Sequence, residues 1–121
     1  MQKTWLITGV SSGLGRLLAQ KVLARGDHVV GTSRRPDALP DLRERYPQRL
    51  GILALDLRDQ AAVRGAVDLA FEERGRIDIV VSNAGYGLVG AAEEVSDQQV
   101  RDIVATNLMG SITLIQAALP H

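Results

Sequence analysis

Four short runs along the chain are almost continuously apolar: Trp5 to Thr8, His28 to Ser33, Ile52 to Leu55 and Ile77 to Ser82. A strand with one wet face alternates apolar and polar residues. Near-continuous aliphatic and β-branched runs fit parallel strands covered on both faces. Between the first two, helical spacing takes over. From Gly13 to Arg25 the residues Leu14, Leu18 and Val22 fall on one face, and Gly26 stands where that helix would stop. Pro36, Pro40 and Pro47 leave room for only a short helix in the second connection, because proline lacks an N–H and clashes with the preceding turn. Asp59 can cap a third helix that turns Ala62, Val63, Ala66, Val67, Ala70 and Phe71 inward and ends at Gly75. Ser96 followed by Gln99 forms a capping box, which predicts a long fourth helix running to about Leu119, with Val100, Ile103, Val104, Leu108 and the amide of Asn107 on its inward stripe.

Strand and helix alternating in this order, joined by right-handed crossovers, leave few topologies open. The expectation is an α/β fold, a doubly wound parallel (Rossmann) sheet with strand order 3-2-1-4. That order makes the apolar run Ile77 to Ser82 an unprotected edge, which natural proteins avoid. No repeat, low-complexity stretch or linker breaks the chain, so the 121 residues read as one domain. Ligands of such sheets sit at the carboxyl ends of the strands. The residues placed there are the turn from Thr8 to Gly15, then Ser33-Arg34-Arg35, Asp56-Leu57 and Asn83-Ala84-Gly85.

Composition narrows the chemistry by exclusion. The length is enough for a core that removes about two-thirds of the extended surface from water. Hydrophobic residues at 45% and charged residues at 23% are ordinary for a soluble globular protein, and a formal net charge of zero offers no broad field to nucleic acid or an anionic membrane. With no cysteine there is no disulfide, thiol nucleophile or cysteine metal site. The N-terminal stretch lacks the small-residue cleavage site of a signal peptide, and no apolar run approaches the length of a membrane span, so a cytoplasmic location is expected.

The turn Thr8-Gly9-Val10-Ser11-Ser12-Gly13-Leu14-Gly15 carries the most information. Three glycines between a buried strand and a helix permit a tight turn, a close approach of pyrophosphate to the main chain, and close helix packing. The unpaired N–H groups of the first helical turn, at the positive end of the dipole, would face the ligand. The spacing G-x-x-x-G-x-G resembles the glycine motif of the short-chain dehydrogenase/reductase family. So do an acid after strand three (Asp56), the N-A-G segment Asn83-Ala84-Gly85, and an asparagine on helix four (Asn107), and the resemblance covers essentially the whole chain.

The resemblance implies roles for these positions. Gly9, Ser11, Ser12, Gly13, Leu14 and Gly15 would cradle the cofactor. Asp56, with Leu57 beside it, would accept from the adenine amino group, and Asn83-Ala84-Gly85 would support the adenosine side and the central strand. Asn107 would organise water near the reactive centre. Each position also has a plainer reading: glycines for helix packing alone, Asp56 as a cap, Asn83 and Gly85 as a structural turn, Asn107 as a braced amide.

Cofactor choice is legible at the end of strand two. An acid there binds the ribose 2′-hydroxyl and repels a 2′-phosphate. This chain has Ser33 and Arg34, followed by Arg35, and a guanidinium can pair with the phosphate, so NADP is favoured over NAD. Adjacent arginines can also be mere solvated charge. In a reading from another class, Gly9-Val10-Ser11-Ser12-Gly13 matches the G-x-S-x-G elbow of serine hydrolases, with Ser11 as nucleophile. The only histidines, His28 and His121, are poorly placed to serve it.

The family's reactive centre uses a serine, then a tyrosine with a lysine four residues on. Here Leu50 and Gly90 stand four residues after the only tyrosines, Tyr46 and Tyr86, and the only lysines are Lys3 and Lys21. The expectation is therefore the N-terminal, cofactor-binding part of a larger NADP-dependent oxidoreductase, interconverting an alcohol and a carbonyl compound, with its catalytic part absent from residues 1–121. The alternative is a nucleotide-binding or interaction module without catalysis. In the family the fourth helix packs in a subunit interface, which implies a homo-dimer or homo-tetramer.

Overall fold

A computed structural model describes residues 1–121. Four parallel strands, β1 (Thr4–Thr8), β2 (His28–Ser33), β3 (Leu50–Ala54) and β4 (Ile79–Val81), form one sheet in the order β3-β2-β1-β4. Thr4 is level with His28, Trp5 with Ile79, and Val29 with Leu50, so the strands leave the sheet at a common carboxyl edge. Helices α1 (Gly13–Ala24), α2 (Pro40–Arg45) and α3 (Gln60–Arg74) connect successive strands, and α4 (Asp97–Val104) and α5 (Gly110–Ala118) follow β4.

Alternation along the strands divides the core in two. Ile7 and Val29 point to one face, where Ala19, Val22 and Leu23 of α1 and Leu42 of α2 cover them. Leu6 and Val30 point to the other, beneath Val63, Val67 and Ala70 of α3 and Leu114 of α5. Both faces are therefore covered over β1 and β2, as their continuous apolar runs require, while Val80 of β4 stays exposed. The α3 cap forms as expected, with the Asp59 side chain accepting from the Ala62 N–H at 3.0 Å. Both bonds of the Ser96–Gln99 box are present, at 2.9 and 3.1 Å.

Several expectations need correction. Leu14 does not face the core: it is 78% exposed, because the inward stripe of α1 runs Gly15, Ala19, Val22, Leu23, one step around the helix. Strand β4 is shorter than the run Ile77 to Ser82, and β3 begins at Leu50, not Ile52. The fourth helix is not one regular α-helix to Leu119. A π-helical turn, Ala105–Met109, separates α4 from α5, and such turns shift the register of every later side chain. The stripe expected to face inward is largely open, with Val100 48%, Val104 43% and Leu108 54% exposed. Gly110, Thr113 and Leu114 are buried in its place. Gly110 allows the approach, since a Cβ there would meet both the Cβ and the carbonyl oxygen of Leu57 at 3.0 Å.

No helix is long and apolar enough to cross a membrane. A shallow apolar groove of about 370 Å³ runs along β4, between Ile77, Val80, Leu114 and Leu119.

Candidate functional site

The site is built where β1 ends. Thr8 is fully buried, and its Oγ1 accepts from the backbone N–H groups of Asn83 and Ala84, both at 3.0 Å. In return the Asn83 side-chain Nδ2 donates to the carbonyls of Thr8 and Gly9 at 3.0 and 3.1 Å. The glycine turn and the loop after β4 are thus fastened to each other through polar groups that would be costly to leave unpaired. From the other side, Gly9 and Val10 N–H both donate to the Thr32 carbonyl at 3.0 Å. Gly9 has φ +71°, and a Cβ would stand 2.8 Å from Ala84 Cα, so only glycine fits.

These contacts leave a cavity of about 610 Å³ at the carboxyl edge. Of the expected cradle, Gly9, Ser11, Ser12, Gly13 and Leu14 line it. Arg34, Asp56 and Leu57 line it further along, and Asn83, Ala84 and Gly85 form the wall below β4. Gly15, Arg35 and Asn107 do not line it. Gly15 sits behind the turn, where a Cβ would overlap the Gly9 carbonyl oxygen, so its place is helix packing. Asn107 lies in the π-helical turn and is not buried, which corrects the expected inward amide. Its Nδ2 donates to the Tyr86 carbonyl at 2.8 Å and its Oδ1 accepts from the Tyr86 N–H at 3.1 Å, clamping the loop after β4.

The cavity is polar and held by charge at one end. The N-terminus of α1 carries no side-chain cap from Ser12 and no acid in its first turn, so its orphan donors remain available to an anion. Arg34 is exposed and takes part in none of the chain's ion pairs. Asp56 is gripped by Arg58, whose Nη2 lies 2.7 Å from Oδ2, and Arg58 also reaches Asp102 of α4 at 3.4 Å. That grip holds the Asp56 carboxyl below the usual carboxylate range, with a further contribution from the Arg34 charge, and pushes the Arg58 guanidinium up.

Reading the sequence alone missed Arg58, Asp102, Thr106 and Tyr86 as cavity residues, and Thr8 as the hub that fastens the turn. The signal for Arg58 was local, since an Asp-x-Arg spacing lets the guanidinium fold back on the carboxylate. The others depend on contacts between distant segments. Ser11 has no histidine beside it: His28 is level with Thr4 at the far end of the strands, and His121 stacks on Phe71 and pairs with Asp68. The geometry gives the hydrolase reading no triad.

Residues 3–121 match the protein family described as short chain dehydrogenase. An oxidoreductase of Botryotinia fuckeliana is 40% identical over 121 residues, covering 99% of this chain and 44% of that protein. A probable NADP-dependent dehydrogenase of Haemophilus influenzae is 31% identical, over 98% of this chain and 47% of its own length. The crystal structure of a short-chain dehydrogenase from Streptomyces avermitilis superposes with a TM-score of 0.94 at 40% identity, over 98% of this chain and 44% of that one. The chain thus spans less than half the length of these relatives.

Proposed function

Because the chain belongs to the short-chain dehydrogenase family of oxidoreductases, we propose that it is the nucleotide-binding part of an NADP-dependent enzyme interconverting an alcohol and a carbonyl compound. The observation that carries the cofactor choice is Arg34, exposed and unpaired on the cavity wall at the end of β2, where an NAD-selective site has an acid. The H. influenzae relative's name, which includes NADP dependence, agrees with it.

The residues fit a phosphate-bearing dinucleotide. The uncapped first turn of α1 and the turn glycines would hold the pyrophosphate, with Gly13 at φ +59° leaving open space where another residue would place a Cβ. Arg34 would pair with the 2′-phosphate, Arg35 would add positive charge beside it, and Asp56 with Leu57 would border the adenine. Asn83-Ala84-Gly85 would form the floor under the adenosine. When bound, the cofactor supplies hydride or accepts it. Asn107 acts on the loop after β4 through Tyr86 and so shapes the end of the site nearest the π-helical turn. No tyrosine in these residues has a lysine four positions on, so the proton-transfer pair that the family resemblance implies is not among them.

The exposed stripe of Val100, Val104, Leu108, Ile112 and Ile115 supports assembly into dimers or tetramers, since apolar patches of this kind mark interfaces. Titration of the full-length protein with NADPH and NADH tests the cofactor reading. It predicts tighter binding of NADPH, and equal affinities would refute it.

A further inference from the structure

Arg58 faces the same cavity as Arg34, but its guanidinium is already engaged. Nε lies 3.1 Å from both oxygens of Asp56, Nη2 is 2.7 Å from Oδ2, and the Arg58 backbone N–H donates to Oδ1 at 3.0 Å. The remaining nitrogen, Nη1, is 3.4 Å from Asp102 Oδ2 on α4. Two carboxylates thus stand on the wall of a cavity whose charge must suit an anion. Arg34 is near enough for its charge to act on Asp56, although no ion pair joins them. With Arg58 in place, two acids and two guanidinium groups balance. Without it, the wall would carry a net negative charge, and Arg34 would be the cation nearest to hand for Asp56.

We propose that Arg58 is a positioning residue that sets cofactor specificity: by clamping Asp56 and tying it to Asp102, it keeps both carboxylates from Arg34 and leaves that guanidinium free for the 2′-phosphate of NADP. The proposal rests on the nucleotide-binding reading above. Arg58 acts through Asp56 and Arg34, not by touching the phosphate. Its effect therefore falls more heavily on NADP, which brings the extra charge, than on NAD, whose ribose hydroxyl is neutral. The planar fork matters as well as the charge, since a lysine offsets one carboxylate but cannot hold both oxygens of Asp56 in a fixed direction.

The test uses the full-length protein, with NADP and NAD titrated calorimetrically into wild type, Arg58→Gln, Arg58→Lys and the double variant Asp56→Asn/Arg58→Gln, at low and at high salt. Arg58→Gln should lower the ratio of NADP to NAD affinity on the order of tenfold at low salt, and less at high salt. Arg58→Lys should fall between. The double variant should recover much of the NADP preference, because the carboxylate that Arg58 restrains is gone. Circular dichroism matching wild type shows that each variant is folded, and because Asp56 borders the adenine common to both cofactors, the quantity read is the ratio of NADP to NAD affinity. An equal loss of both cofactors in Arg58→Gln, or no recovery in the double variant, would overturn the proposal. A wild-type NADP preference that survives Arg58→Gln would overturn it while leaving the Arg34 reading intact. A wild type with no NADP preference would overturn both.

Discussion

Gly15→Ala adds one methyl group at the most crowded point of the turn. That methyl would overlap the Gly9 carbonyl oxygen and stand 2.5 Å from Asn83 Nδ2 and 2.9 Å from the Gly9 carbonyl carbon. None of these atoms can swing away at low cost. Gly9 is backbone held at φ +71°, and Asn83 Nδ2 is fixed by its bonds to the Thr8 and Gly9 carbonyls at 3.0 and 3.1 Å. Either α1 lifts from the sheet or the turn opens. Overpacking of this kind costs about 1–3 kcal/mol, and losing the two Asn83 bonds costs about 0.5–1.5 kcal/mol each. The better helix propensity of alanine returns up to about 1 kcal/mol. The expected net is a destabilisation of about 1–6 kcal/mol, a large share of a domain's total of about 5–15. Urea unfolding of the full-length protein would read it as a lower midpoint at an unchanged slope. Gly65→Ala is the control. A Cβ there meets nothing within 4 Å inside α3, so that change should stabilise by about 0.5–1 kcal/mol. A Gly15→Ala protein as stable as wild type would refute the reasoning.

Three further outcomes are expected. Thr8→Val keeps the shape but removes the acceptor of the Asn83 and Ala84 N–H groups; it should cost about 2–4 kcal/mol in urea unfolding while Thr8→Ser stays near wild type, and equal stability of the two variants would count against the hub. Arg34→Asp should weaken NADPH binding by about 1.5–3 kcal/mol with little change for NADH, read by calorimetric titration; an unaltered NADPH affinity would remove Arg34 from the site. Asp27, Asp41, Asp56 and Asp78 all have carboxyls held below the ordinary range, chiefly by the Lys3 N–H, Arg16, Arg58 and the Thr4 N–H respectively. Because the folded pKa values are the lower ones, these groups contribute stability above the unfolded value near ~4 and lose it as pH falls through the folded values. The melting temperature should therefore drop on acidification below about pH 4, and a rise there would contradict the assignment.

The sheet order and the positions of the caps were legible because they depend on local chemistry: continuous apolar runs for β1 and β2, Asp59 before α3, Ser96 and Gln99 before α4. The carboxyl edge was legible too, since topology alone brings Arg34, Asp56 and Asn83 to it. What escaped was set by distant contacts. Leu14 fits a helical stripe as well as Gly15 does, and only the crowding against Gly9 shows which one faces the sheet. The π-helical turn leaves no residue-type signature in Ala105–Met109, and it becomes visible only with Gly110 against Leu57 and Asn107 on Tyr86. Thr8 reads as an ordinary strand residue until Asn83 and Ala84 are seen to donate to its hydroxyl.

Hydrogen exchange on the full-length protein, with and without NADPH, tests the central claim most directly, because it reports where the ligand sits as well as whether it binds. A cradle at the carboxyl edge predicts slower exchange on adding NADPH at residues 11–15, 34–35, 57–58 and 83–86, with no change along the groove beside β4. Protection absent from the glycine turn, or confined to that groove, would contradict it.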